Sequence, residues 1–331
     1  MRRRSRRSRR RRRRLLALAC VAVLALVAAW AWTCAGTSPD TAAENGADVA
    51  TSPVVEEAAA SDQAGEEVET VTSGGLVVTG PEEFLGSEEL AYLEEQVAEL
   101  EEQDVNLGIV VLDLETGHSI EYNADERLYP ASSIKAAYCA MVCEEYGGAG
   151  ELSWALEECL VNSSNEAYEL LRDTYGLDAF GDWLEHAGAT EASVQAREYE
   201  YPDISAGELA EVWEEIFRYG TSGEDGSDEL VDALAATNFT ALGGLPCDEY
   251  EVWSKPGWYF QDSYDITCTN DAGVVFSDCG PYVVAVMTDL NGDLPGLLPL
   301  LDSLNAAHGA MCGGSTESQL SEETTIPGYV G

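Results

Sequence analysis

The chain contains only two lysines, Lys135 and Lys255, and each lies near a serine in a setting suited to acyl transfer. Ser132 and Lys135 stand three residues apart just after Pro130, where a helix is expected to begin. Residues at that spacing share a helix face, so the lysine amine reaches toward the hydroxyl, and the helix N-terminus favours negative charge developing there. A serine hydroxyl is a weak nucleophile until an adjacent base takes its proton. Lysine serves as that base once desolvation or a second cation lowers its pKa. Taken alone, Ser-x-x-Lys also describes an ordinary helix start with Ser132 as cap and Lys135 in solvent.

A second group follows in NSSNEAYELL, between two helical patterns. The Ser163 hydroxyl could relay a proton to a leaving group, and the Asn165 amide could hold a substrate amide through its donor and acceptor. Ser163 reads equally as a helix N-cap. The third group is Ser254-Lys255-Pro256-Gly257 with Trp258 after it, at the end of a strand. Gly257 lets a substrate approach the backbone closely, Lys255 offers charge for a carboxylate, and a backbone N–H there could assist an oxyanion. By itself the segment is also a strand broken at Pro-Gly.

In this order and spacing, the groups Ser-x-x-Lys, Ser-x-Asn and Lys-x-Gly resemble the penicillin-recognising serine hydrolases. The likeness is greatest to class A β-lactamases, whose first motif lies in a context similar to YPASSIKAAY, and it spans roughly residues 85 to 313. The resemblance implies that Ser132 is acylated, Lys135 assists, Ser163 shuttles a proton, Asn165 orients the substrate and Lys255 binds its carboxylate beside Gly257. It implies an oxyanion hole from the backbone N–H groups of Ser132 and Trp258. The substrate would be a β-lactam or a peptidoglycan-like peptide, with no cofactor or metal. Cys139 matches a family position that is often disulfide-bonded, and Cys159 is its nearest candidate partner.

The chain also departs from that pattern. Ser164 stands where class A enzymes have aspartate, and Pro256 where they have a hydroxyl residue. No arginine follows Arg218, so carboxylate recognition would rest largely on Lys255. The loop that should supply a deacylating glutamate, within QAREYEYPDISAGELAEVW, is shortened. Glu198 and Glu200 are the candidate substitutes, while Glu166 is on the wrong element. A poorly activated water favours slow hydrolysis, a peptidase or esterase acting on another acyl substrate such as a D-Ala-D-Ala peptide, or a sensor that signals by acylation. A non-catalytic envelope-binding module is a further reading, against which the presence of Ser132, Lys135, Ser163 and Lys255 together argues.

The elements that must position these groups follow from periodicity. Leu90, Leu93, Val97 and Leu100 recur at helical spacing after Ser87, a candidate cap. NLGIVVLDLETGHSIEYNAD predicts two strands joined at Glu115-Thr116-Gly117. A run of helical patterns extends from Ser132 to about Tyr219 and continues in DELVDALAATN. Strands are expected in EVWSKPGWY, AGVVFSDCG and PYVVAVMTDL, then an apolar helix in PGLLPLLDSLNAAHGAM. The expected fold is α/β of the α+β type: an antiparallel sheet flanked by N- and C-terminal helices, with an inserted all-helical lobe.

The remainder of the 331 residues concerns location. Residues 2–14 hold eleven arginines, and residues 15–32 form an unbroken apolar run. As a helix that run is roughly 27 Å long, which suits a basic cytoplasmic flank (1–14) and a single transmembrane anchor (15–32). A cleaved signal segment, giving a secreted protein, is the alternative. Residues 33–82 read as an acidic disordered linker, 83–313 as the hydrolase domain and 314–331 as a flexible tail. Beyond the basic head, 6 cations remain of 17 Lys+Arg, against 61 acidic residues, so the exported part carries about 55 net negative charges. Such a surface repels nucleic acid, which excludes that partner class. Seven of the nine cysteines lie in the exported part, which favours disulfides. Three histidines and no Cys-x-x-Cys pair argue against a structural zinc site.

Overall fold

Alternation along the strands divides the interior into two cores. The computed structural model describes residues 67–245, 250–260, 266–314 and 326. Strands β1 (Glu67–Val71) and β2 (Val77–Pro81) come first, then helix α1 (Glu88–Glu102) and the hairpin β3 (Leu107–Asp113) and β4 (Ser119–Tyr122). Three long strands, β7 (Glu251–Tyr259), β8 (Cys268–Ser277) and β9 (Gly280–Thr288), complete a seven-stranded sheet of order β1-β2-β4-β3-β9-β8-β7. Every neighbouring pair is antiparallel. In β3, Val110 faces one core while Ile109 and Val111 face the other; in β9, Val283 and Ala285 alternate with Val284 and Val286 in the same way. This is the period-two signature of a sheet covered on both faces.

Ser87 caps α1 as expected, accepting from Leu90 N at 3.1 Å. Leu90, Leu93, Val97 and Leu100 then bury one stripe of the helix, and a fully buried leucine contributes about 1.5–3 kcal/mol. Helix α1 packs against the C-terminal helix, and together they cover one face of the sheet.

Between β4 and β7 the chain forms the helical lobe. After the short strand β5 (Arg127–Leu128) come α2 (Lys135–Tyr146), α3 (Ser153–Val161), α4 (Asn165–Tyr175), α5 (Asp178–His186) and α6 (Thr190–Ala196). Strand β6 (Ile204–Ser205) pairs with β5, and α7 (Ala206–Gly220) and α8 (Ser227–Leu234) follow. Helix α7, held by a Ser205–Glu208 capping box, lies across β3, β8 and β9 on the second face. The C-terminal helix α9 (Leu298–Met311) closes the first face. The inserted lobe and the shared sheet match the expected α+β architecture.

Three expectations change. Strands β1 and β2 fall within the segment read as linker, so ordered structure begins at or before Glu67. EVETV has a weak signal because β1 is an edge strand with no fully buried residue. Helix α6 occupies part of the segment read as loop. In the segment read as a flexible tail, Ile326 is buried against the first core, close to Gly244. The basic flank, the apolar run at 15–32 and residues 33–66 lie outside the described residues, among which no helix is long and apolar enough to cross a membrane.

Candidate active site

The turn that carries Ser132 is held under backbone strain. Pro130 precedes Ala131, whose φ of 46° lies in the left-handed region that costs a non-glycine residue of order 1–3 kcal/mol. Residues Ala131–Ile134 then form a single 3-10 turn, and α2 begins only at Lys135. Ser132 therefore lies in a 3-10 turn and Lys135 follows it as the first residue of α2, so the two do not share one α-helix. With three residues per turn, positions i and i+3 eclipse, which aligns the two side chains more directly than an α-helix would. Ser132 is half-buried and, among the described residues, its hydroxyl has no hydrogen-bond partner.

The strain is balanced by contacts that sequence reasoning missed. Asn270, fully buried on β8, donates from Nδ2 to the carbonyls of Tyr129 and Pro130, each at 3.0 Å. Its Oδ1 accepts from Thr288 N at 3.0 Å, so all of its polar atoms are used in clamping the turn to the sheet. Ser133 Oγ adds a bond to Pro130 O at 2.8 Å. Gly257 lies directly under the turn. A Cβ there would come within 2.8 Å of Ser132 N and closer still to Ser133 N and Pro130 O, all backbone atoms that cannot swing aside.

Ser163 joins the two lysines. The cap of α4 is Ser164, whose Oγ accepts from Ala167 N at 3.1 Å. Ser163, at φ 57°, is thus released from capping and turned into the cleft. Lys135 Nζ donates to Ser163 O at 2.9 Å and to Asn165 Oδ1 at 2.6 Å. Lys255 Nζ donates to Ser163 Oγ at 3.0 Å and to Pro256 O at 3.2 Å. Both lysines are buried, at 0% and 1% exposure. Burial chiefly, with the Arg172 charge, lowers the Lys135 pKa, and burial together with the nearby Lys135 charge brings Lys255 down to about 7.

Trp258 divides between two roles. Its side chain packs against the core on the α1 and α9 side, away from Lys255. Its backbone orientation follows from Pro256. A proline in an edge strand must turn its nitrogen outward, and by the two-residue period the Trp258 N–H turns the same way, toward the open edge beside Ser132. Of the sequence-named residues, Ser132, Lys135, Ser163, Asn165, Lys255 and Gly257 are thus gathered, and Trp258 joins through its main chain only.

None of the three glutamates weighed from the sequence takes a base-like position. Glu198 is exposed, Glu200 pairs with Arg172 at 3.4 Å, and Glu166 accepts from Ser164 Oγ at 3.2 Å. Aromatic rings surround the lysine instead: Tyr168 lies 5.5 Å from Lys135 Nζ, with Arg172 over the same ring and Tyr201 at 5.6 Å. Behind β7, Asp271 is fully buried. Its Oδ2 accepts from Thr240 Oγ1, Ala241 N and Leu242 N, its Oδ1 has no partner, and desolvation raises its pKa to about 6. Neither Asn270 nor Asp271 carries a local signal, since each acts on residues far away in the chain.

The implied Cys139–Cys159 bridge is absent: both are free, buried thiols. Cys143, Cys268, Cys279 and Cys312 are free as well, and Cys247 lies outside the described residues.

Comparison with known proteins agrees with this geometry. The family described as "Beta-lactamase enzyme family" matches residues 92–157 and 145–297, more than half of the chain. The chain belongs to the beta-lactamase enzyme family. Among solved structures, an ancestral (GNCA) class A β-lactamase is similar with a TM-score of 0.54 at 22% identity, covering 65% of this chain and 99% of its own. The TLA-1 extended-spectrum β-lactamase is similar with a TM-score of 0.56 at 14% identity, covering 66% of this chain and 98% of its own. At such identities the likeness is one of fold, and this family member shares the class A architecture. No curated protein matches it by sequence.

Proposed function

We propose that this family member is an exported serine hydrolase, acylated at Ser132 by a β-lactam or a related cell-wall acyl substrate, and that it releases the acyl group slowly. The observation that carries this reading is the convergence of both buried lysines on Ser163, one at its carbonyl and one at its hydroxyl. Two desolvated amines beside each other favour the neutral form, which is the form able to accept a proton.

Neutral Lys135 takes the Ser132 proton as Oγ attacks the lactam carbonyl carbon. The resulting oxyanion meets the N–H groups of Ser132 and Trp258. The carbon–nitrogen bond then breaks, and the ring nitrogen takes a proton from Ser163 Oγ, which is resupplied by Lys255. Lys135 ends with one proton more and Lys255 with one fewer until the pair re-equilibrates. Lys255 also attracts the substrate carboxylate, while Asn165 holds the side-chain amide.

Slow release is supported by the partners of Lys135. Among the described residues they are Ser163, Asn165 and the Tyr168 ring, with no carboxylate in hydrogen-bond contact. Tyr129 packs against Tyr201 in a tilted arrangement and against Tyr259 in a T-shaped one, with centroids 6.1 and 6.2 Å away, and Tyr199 and Phe260 are exposed beside them. Such a rim suits an aromatic or apolar acyl side chain. The arginine head and the apolar run at 15–32 support a tether to the outer face of a membrane, where cell-wall substrates are met.

The test is intact-mass spectrometry of the full-length chain during incubation with benzylpenicillin and a chromogenic cephalosporin. The expected result is a lasting ring-opened adduct on the wild type and none on Ser132→Ala. Rapid turnover without an adduct would remove the slow-release part, and neither adduct nor turnover would sink the acylation reading.

A further inference from the structure

A second cluster of chemically capable groups lies on the far face of the sheet. Asp113 ends β3, His308 and Cys312 stand four residues apart at the end of α9, and Cys279 sits in the β8–β9 turn on the wall of the same cavity as Cys312. His308 Nε2 is 2.8 Å from Asp113 Oδ2, and Cys312 Sγ is 3.8 Å from that nitrogen and 3.9 Å from that oxygen. Asp113 and His308 are 2% and 1% exposed, whereas Cys312 opens onto a cavity of about 400 Å³ that Cys279 also lines.

We propose that Asp113, His308 and Cys312 bind one divalent metal ion of the zinc class, with Cys279 as the fourth ligand. One oxygen, one nitrogen and one sulfur face a common point, and these are the donor types that zinc accepts. A tetrahedral zinc at about 2.0 Å from N and O and 2.3 Å from S needs donor separations of about 3.3–3.6 Å. The observed triangle brackets that range, so opening Asp113 from His308 by about half an ångström and drawing the sulfur inward creates the site.

The outer shell is already built. Asp113 Oδ1 is occupied by Glu115 N at 3.0 Å, Thr116 N at 2.7 Å and Thr116 Oγ1 at 2.8 Å, which leaves Oδ2 as the ligand atom. The His308 ring stacks on Tyr282 at 3.8 Å, and Tyr282 is anchored through its hydroxyl to Asn305 at 2.7 Å. Ligands oriented in this way are the mark of a site rather than of a chance contact. A chain with 61 acidic residues also raises the local concentration of cations.

Binding balances as follows. The Cys312 thiol, and that of Cys279, each release a proton to solvent, and the proton of His308 moves from Nε2 to Nδ1. The ion would clip the end of α9 to the β3–β4 and β8–β9 turns. These positions are remote in sequence, which explains why reading the chain for short metal motifs missed them.

The full-length chain, purified under reductant and stripped with chelator, would be titrated with Co²⁺ alone. Expected are a thiolate-to-cobalt charge-transfer band and intense tetrahedral d–d bands that saturate at one equivalent, displacement by Zn²⁺, and a higher Tm with Zn²⁺. Cys312→Ser should weaken the charge-transfer band while Ser132 acylation is unchanged, Cys312→Ser combined with Cys279→Ser should abolish it, and His308→Gln should weaken metal binding at least about tenfold. Should Cys312→Ser not fold, Cys279→Ser serves, with a weakened charge-transfer band expected. A weak octahedral spectrum from the wild type overturns the proposal, as does a Cys279–Cys312 disulfide in peptide maps of chain isolated without reductant.

Discussion

Lys255 Nζ donates to Ser163 Oγ at 3.0 Å, and this contact helps tie the edge strand of the sheet to the helical lobe. Its strength depends on the protonation of an amine that burial and Lys135 have brought down to about 7, so the pairing links both function and stability to pH.

The rate of acylation should report the charge on Lys255. With an anionic penicillin, the second-order rate constant is expected to fall as pH rises through about 7, as the group that attracts the carboxylate loses its proton. The corresponding neutral ester should lack that descending limb. Lys255→Ala should remove the limb for the anionic penicillin; its persistence in this variant would assign it to another group.

Folding stability should rise over part of the alkaline range. Between pH 7 and about 9 the folded chain binds fewer protons at Lys255 than the unfolded chain, whose lysine keeps its proton up to 10.5, so stability increases with pH. Lys135 acts in the same direction. The gain ends near 9, where Cys139 and Cys143 begin to ionise in the unfolded chain while burial keeps them protonated in the folded one. Urea midpoints at pH 7, 8 and 9 should climb for the wild type and climb less for Lys255→Met.

Lys135→Arg keeps the positive charge but cannot lose its proton near neutral pH. Acylation is expected to slow by roughly 10²- to 10⁴-fold, the usual contribution of a general base. Stopped-flow labelling with a fluorescent penicillin measures this. An unaffected rate would exclude Lys135 as the base.

Asn270→Ala leaves the Tyr129 and Pro130 carbonyls and Thr288 N without their buried partner. The expected cost is about 2 kcal/mol or more in urea unfolding, together with slower acylation as the Ser132 turn relaxes. Normal acylation in a destabilised variant would limit Asn270 to a packing role.

Gly257→Ala places a methyl group against the main chain of the Ser132 turn. Overpacking of this kind costs about 1–3 kcal/mol. Disturbing the oxyanion-binding edge should lower acylation by about 100-fold or more, and circular dichroism should show a retained fold.

Local chemistry was legible in the sequence wherever neighbours along the chain act together. Ser87 as a cap, the Glu115-Thr116-Gly117 hairpin and the spacing of Ser132 and Lys135 all belong to that class. Whether Ser163 or Ser164 caps α4 was open in the sequence, because both precede the helix, and only backbone geometry separates the cap from the cleft residue. Asn270 could not be found, since an asparagine in a strand has no pattern until the Tyr129–Pro130 turn is laid across it. The same holds for Asp113 and His308, which meet across 195 positions of chain. Strand β1 stayed hidden for a different reason: as an edge strand it buries no residue completely, so its glutamates mask the alternation.

Because its two lysines are buried, the folded domain presents no side-chain primary amine to solvent. β-Lactams slowly acylate exposed lysines of many proteins without any enzyme, and that background chemistry has no target on this exterior. The same holds for carbamylation, glycation and amine-directed cross-linking. Outside its cleft the domain thus offers amine-directed acylating reagents no lysine, so an acyl adduct on it reports an address and not merely an exposure.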